Sequence, residues 1–200
     1  MAKSNTNIII IDDEPELQEH ELIFELKLLY EKVEIFANPN EGIKYVKTHL
    51  NDKNIIVLDY RFENYSNGSN VLKDIRDESK VIPVILWTAN ADKILEFIDI
   101  ANNKIFAILP KSPYEPVLKT IKDAENELDT SIEGALEEWI SIQNEEDLDS
   151  PYLITANGEQ YTLNELLREI RLQTPFGTQV QKDLLMLTID LLLRNKKQLP

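Results

Sequence analysis

The stretch "NIIIIDDEPE", residues 7–16, decides the fold. Four consecutive isoleucines, Ile8 to Ile11, demand a dry interior, and Asp12, Asp13 and Glu14 follow with no spacer. A short β-branched run of this kind has the length and composition of a buried strand. The chain therefore leaves its driest segment directly into a cluster of negative charge, and that junction needs an architecture in which strand ends open onto a polar edge.

The rest of the first 127 residues supplies it. Similar runs recur at Val33–Phe36, Ile55–Leu58, Ile82–Trp87 and Ile105–Leu109. Between them lie stretches of helical period: Leu17, Ile23, Phe24, Leu26 and Leu28; then Ile43, Val46 and Leu50; then Val71, Leu72 and Ile75; then Ile94, Leu95, Ile98 and Ala101; a fifth starts near Pro113. Strands alternating with helices predict an α/β fold, a five-stranded parallel sheet doubly wound with helices on both faces. Right-handed crossovers leave few topologies.

In open α/β sheets ligands bind beyond the carboxyl ends of the strands. Asp12 and Asp13 follow the first strand, Asp59 the third ("NIIVLDY"), Thr88 ends the fourth ("VILWTAN") and Lys111 follows the fifth ("AILPKSP"). All five polar groups are thereby expected at one edge of one sheet. Three crowded carboxylates make an oxygen-rich site for a hard cation such as Mg²⁺. The lysine and the threonine hydroxyl would serve an anion beside the metal.

Composition narrows the chemistry further. The 200 residues carry a net charge of −15. That balance argues against non-specific nucleic-acid binding, which rests on Lys and Arg contacts to phosphate. The absence of cysteine excludes disulfides and thiol catalysis and suits a reducing, cytoplasmic setting. Two histidines, His20 and His49, are too few for a histidine-built metal site. The apolar run after "MAKSNTN" is too short for a signal peptide or a membrane span.

The paired acids Asp12 and Asp13, then Asp59, Thr88 followed by Ala89, and Lys111, in that order, resemble the receiver domain of two-component response regulators; Gly68 also falls where receivers place a glycine before the third helix. The resemblance covers residues 6 to about 127. It implies strand order 2-1-3-4-5. It implies Asp59 as phosphoacceptor from a histidine kinase or phosphotransfer protein, and Mg²⁺ held by Asp12, Asp13, Asp59 and the backbone carbonyl of Arg61. It also implies Lys111 paired with the acyl phosphate and Thr88 bonded to it in the activated state. Three positions depart from the family pattern. Ser112 separates Lys111 from Pro113, Ile108 stands where receivers carry Tyr or Phe, and the loop after Asp59 lacks the usual proline. Trp87, beside Thr88, is read as core or as a contact of the fourth helix.

Beyond the receiver, residues 128–150 read as an acidic helical linker. Residues 120–150 hold eleven acids against Lys122 alone. Val117, Ile121, Ala124, Leu128, Ile132, Ala135, Trp139 and Ile142 nonetheless trace one helical stripe. It fits either the last receiver helix followed by a solvated acidic one, or one extended helix carrying a partner or dimer seam. Residues 151–200 read as a small module of a hairpin and two helices. Asn157-Gly158 marks the hairpin turn, and Thr162 with Glu165, then Thr178 with Gln181, make two capping boxes. Eight of the ten residues Leu184 to Leu193 are apolar, which predicts a helix in need of cover from the receiver, from residues 130–142 or from a second chain; a homodimer through this helix and the stripe of Leu128, Ile132, Ala135 and Trp139 competes with a fold-back onto the chain's own receiver. Six bases against five acids, and a greasy candidate recognition helix, argue against DNA binding by this module.

Three functional classes follow: a phosphorylation-controlled switch working through protein contacts, a phosphorylation-independent adaptor that Ile108 and Ser112 would suit, and an aspartyl-nucleophile phosphohydrolase. The last needs a second Asp two residues after the nucleophile, where Arg61 stands.

Overall fold

Alternate residues of a strand face opposite ways, so the isoleucine run divides between two cores. Ile9 and Ile11 join Ile56, Leu58, Val84 and Leu86 on one face of the sheet. Ile8 and Ile10 join Ile55, Val57, Ile85 and Trp87 on the other. The structure, a computed structural model, describes residues 3–63, 68–89, 91 and 104–195. It divides into two units, Met1–Ser131 and Ile132–Pro200.

The first unit is a parallel sheet of five strands in the order β2-β1-β3-β4-β5. They are β1 (Ser4–Ile11), β2 (Tyr30–Phe36), β3 (Asn54–Leu58), β4 (Val84–Thr88) and β5 (Ala107–Pro110). α2 (Pro39–Thr48) and α3 (Gly68–Glu78) cover one face through Ile43, Val46, Val71, Leu72 and Ile75. α1 (Glu21–Leu29) and α4 (Glu115–Thr130) cover the other through Leu22, Ile23, Leu26, Val117, Ile121 and Ala124. The fold class and strand order are those expected from the sequence.

Several local expectations change. Phe24 and Leu28 are exposed, because α1 presents Leu22, Ile23 and Leu26 to the sheet, and Leu17 sits in a 3₁₀ turn before it. β4 begins at Val84, since Pro83 has no N–H to give a ladder. The stripe at Ile94 to Ala101 lies outside the described residues. The Ser112–Pro113 bond is cis.

The long stripe after the receiver is two helices. α4 ends at Thr130, Ser131 turns extended, and α5 (Ile132–Ser141) starts afresh. The second unit continues with α6 (Glu145–Leu148), the antiparallel pair β6 (Pro151–Ile154) and β7 (Gln160–Thr162), α7 (Leu163–Arg171) and α8 (Pro175–Asn195). Leu136, Ile140 and Leu148, from the residues read as a linker, pack with Leu153, Leu163, Leu166, Leu167, Ile170 and Val180 in this unit's two small cores. Arg171 Nε donates to Glu137 Oε1 at 2.9 Å and ties α7 to α5. Burial, offset in part by Arg171, holds the Glu137 carboxyl above its ordinary value. The capping box of Thr162 and Glu165 is present. The one expected at Thr178 is replaced. Pro175 opens α8 and the Thr174 hydroxyl accepts the Gly177 amide at 3.0 Å, so Thr178 lies inside the helix.

Candidate functional site

The sheet ladder runs one residue past the strands at its centre. Asp12 N–H donates to the Phe36 carbonyl at 3.0 Å, and Asp59 N–H donates to the Ile11 carbonyl at 2.9 Å. These bonds fix the backbones of Asp12 and Asp59 side by side. One carboxylate oxygen from each of Asp12, Asp13 and Asp59 falls within 4.8 Å of the others. Asp12 and Asp59 are buried, while Asp13 is half-buried. Backbone amides hold each carboxylate: Glu14 N–H to Asp12 Oδ1 at 3.0 Å, Tyr60 N–H to Asp59 Oδ1 at 2.7 Å, and Glu63 N–H to Asp13 Oδ2 at 2.8 Å.

Gly68 sets the loop after Asp59. Its N–H donates to the Tyr60 carbonyl at 2.8 Å. A Cβ there would stand 2.6 Å from Tyr60 Cα and 2.7 Å from the Asp59 carbonyl oxygen, so any side chain would push the acid's own backbone.

Lys111 closes the cluster from β5. Its ammonium donates to Asp12 Oδ1 at 3.1 Å and to Glu14 Oε2 at 2.8 Å. It lies 2.8 Å from Asp12 Oδ2, a charge contact without hydrogen-bond geometry, and 3.6 Å from Asp59 Oδ2. Burial alone would lower the Lys111 pKa; the hydrogen bonds to Asp12 and Glu14 and the nearby carboxylates outweigh it and raise it. Burial is the main reason the Asp12 carboxyl is raised, with the charge of Asp59 adding to it and Lys111 opposing. Glu14 is held below its ordinary value by its bond to Lys111.

Thr88 is buried at the end of β4, opposite Pro110 in the register with β5. Arg61 is exposed in the loop that also brings the Glu63 amide to Asp13. Trp87 packs on the α1 and α4 face of the sheet. Lys111 Nζ lies 5.7 Å from its ring centroid, and His20 meets the ring edge-on at 5.4 Å. The indole is thus core and a floor under the lysine. His20 in turn caps α1, with Nδ1 accepting the Leu22 amide.

The sequence reading missed Glu14. Its position, two residues past Asp12 on the same strand end, was the available signal, since it lies where a lysine after the fifth strand would meet the acids.

The donor set fits a hard divalent cation. Three carboxylates converge, and Asp12 Oδ2 is buried with no hydrogen bond. A buried oxygen without a donor is costly unless charge or a metal meets it. Lys111 Nζ stands 2.8 Å from that oxygen, yet among the described residues this one ammonium does not balance the charge of Asp12, Asp13, Glu14 and Asp59.

The model of the response regulator receiver domain matches residues 8–121. Among solved structures, the chain is similar to a response regulator receiver domain from Clostridium thermocellum, with 20% identity over 62% of this chain and 97% of that one, TM-score 0.52. It is also similar to the N-terminal domain of a response regulator/sensory box/GGDEF protein from Carboxydothermus hydrogenoformans, 20% identical over 62% and 96%, TM-score 0.53. A third is the response regulator TrrA from Thermotoga maritima in complex with Mg(2+)-BeF, 20% identical over 60% and 98%, TM-score 0.51. At these identities the likeness is one of fold. No curated protein matches the chain. The match to the receiver model spans more than half of the chain and covers the whole sheet edge that carries Asp12, Asp59 and Lys111, and the chain belongs to the response regulator receiver family.

Proposed function

We propose that the protein is a cytoplasmic response regulator of a two-component phosphorelay, taking a phosphoryl group on Asp59 from a sensor histidine kinase or a phosphotransfer protein. The observation that carries this reading is the convergence of Asp12, Asp13 and Asp59 within 4.8 Å, with the Lys111 ammonium 3.6 Å from Asp59 Oδ2. Asp12, Asp13, Asp59 and the Arg61 carbonyl would hold Mg²⁺, which when bound offsets the charge of an incoming phosphoryl group.

The chain's own groups do the rest. Asp59 Oδ2 is the nucleophile: its bond to phosphorus forms as the donor's N–P bond breaks, and the freed imidazole takes its proton from solvent. Asp59 Oδ1 is tied to the Tyr60 amide, which holds the carboxylate in one orientation. Lys111 offsets charge on the transferred group. Thr88, buried one strand away, gives a hydroxyl to the phosphoryl oxygens. The protein assists its own phosphorylation and dephosphorylation and turns over no separate substrate.

Its output is contact with another protein. The reading includes a homodimer, because α8 leaves apolar side chains uncovered within its own unit.

Intact-mass spectrometry after incubation with acetyl phosphate is the test. Wild type is expected to gain one phosphoryl group with Mg²⁺ and none with chelator, and Asp59→Asn to gain none under either condition. No mass gain by wild type with Mg²⁺ would leave a phosphorylation-independent adaptor in its place, and an equal gain by wild type and Asp59→Asn would remove Asp59 as the acceptor.

A further inference from the structure

Lys111 is held by a residue that the proposed chemistry does not use. An ammonium carries three protons. This one donates to Asp12 Oδ1 at 3.1 Å and to Glu14 Oε2 at 2.8 Å, and it stands 3.6 Å from Asp59 Oδ2, beyond hydrogen-bond distance. The lysine is therefore closer to Glu14 than to the acid that would take the phosphoryl group. The carboxylates that converge within 4.8 Å are Asp12, Asp13 and Asp59, and Glu14 is outside that set. Its side chain meets the lysine and has no place in the cluster that suits a cation.

The fold fixes Glu14 there. Its N–H donates to Asp12 Oδ1 at 3.0 Å, and its carbonyl accepts the Leu17 N–H at 3.1 Å. Asp12 and Leu17 are both buried. The Glu14 backbone is thus pinned on either side, while its side chain is 48% exposed against 9% for Asp59. Trp87 lies under the lysine, 5.7 Å from Nζ to the ring centroid. What remains open to the ammonium is a swing between the rim at Glu14 and the interior at Asp59.

That swing matters because the lysine and a divalent cation want the same oxygens. Lys111 Nζ is 2.8 Å from Asp12 Oδ2. A carboxylate at the rim draws the ammonium outward, so less of its charge opposes a metal on Asp12 and Asp59. The same pull keeps the ammonium from the oxygens on which charge develops during transfer. We propose that Glu14 is a positioning residue for Lys111, holding the ammonium at the rim and off Asp59 until a phosphoryl group arrives, so that it favours Mg²⁺ binding and restrains transfer. This rests on the reading of Asp59 as phosphoacceptor and of its neighbours as the metal site.

The test is a double-mutant cycle on the full chain: wild type, Glu14→Gln, Lys111→Ala and the double variant. Calorimetric titration with Mg²⁺ alone reads the first effect, and label uptake from acetyl phosphate at saturating Mg²⁺ reads the second. Glu14→Gln is expected to weaken Mg²⁺ binding and to speed labelling, each by about two- to fivefold, the scale of a partly exposed ion pair. In the Lys111→Ala background both changes are expected to shrink, since no ammonium is left to move. Opposite signs that depend on Lys111 are the signature of positioning; damage to the site would weaken binding and slow labelling together. Equal effects in the two backgrounds would overturn the proposal by reducing Glu14 to a general charge, as would slower labelling by Glu14→Gln or no Mg²⁺ binding by wild type. Wild type that binds Mg²⁺ and takes no label would defeat the phosphorelay reading, and the metal half of the cycle would then decide Glu14 by itself.

Discussion

Asp59 gains its place from its neighbours' backbones and from one cation. Lys111 is shared among Asp12, Glu14 and Asp59, so its removal would leave two buried carboxylates and a partly exposed one without a counter-charge. Lys111→Ala is expected to slow phosphorylation by roughly 10²-fold, as loss of one preorganised charge-stabilising group does, and kinetics of label uptake would show it. Asp59→Asn relieves crowding while keeping the acceptor for the Tyr60 amide. It is expected to raise the melting temperature of the receiver unit by about 2–4 °C, for about 1 kcal/mol of lost repulsion. Gly68→Ala should act in the opposite sense. The added methyl meets backbone, not a flexible side chain, and a loss of about 1–3 kcal/mol is expected, with labelling slowed because Asp59 itself shifts. Glu14→Gln checks the residue the sequence reading overlooked: it weakens the charge that draws Lys111 away from Asp59, and faster labelling than wild type is expected.

Elements carry the next level. The strands were readable because a parallel sheet buried on both faces needs continuous apolar runs, and Ile8–Ile11 and Ile55–Leu58 are such runs. The five polar residues at strand ends were readable for the same reason, since strand direction alone puts them at one edge. Helix faces were less legible. Phe24 and Leu28 look like core by composition, but α1 turns three other residues to the sheet. The stripe from Val117 to Ile142 kept its period across Ser131 although the helix did not, because Ser131 is extended and periodicity does not record a one-residue break. The second start was misplaced at Thr178 because a capping-box pattern also occurs there; Pro175 and Thr174 decide it, with a fixed φ and a hydroxyl on the Gly177 amide. At the bottom of the sheet, Thr6 Oγ1 donates to Glu125 Oε1 at 2.7 Å and Tyr30 Oη to Glu125 Oε2 at 3.4 Å. Burial, reinforced by Glu125, raises the Tyr30 phenol above its ordinary 10.0. The unfolded tyrosine ionises first, so this contribution is full below about pH 10 and declines as pH rises further. Denaturant titrations from pH 9 to 11 should show a shallower decline for Tyr30→Phe than for wild type.

At the scale of the whole molecule the chain combines a receiver unit whose sheet edge is charged with a second unit whose last helix is neutral and largely apolar. Metal binding should report on the first part alone. Mg²⁺ at 100 times its dissociation constant is expected to stabilise the receiver unit by about 2.7 kcal/mol. Asp13→Ala should abolish that gain, and differential scanning calorimetry with and without the metal checks it. An unchanged gain would remove Asp13 from the site. The most direct measurement asks which atom carries the phosphoryl group. Borohydride reduces an aspartyl phosphate to homoserine, so wild type incubated with acetyl phosphate and Mg²⁺, reduced, digested and mapped by tandem mass spectrometry should show homoserine at position 59 and aspartate at positions 12 and 13. Homoserine at another position, or unaltered Asp59 in protein that has gained a phosphoryl group, would contradict the assignment of Asp59 as phosphoacceptor.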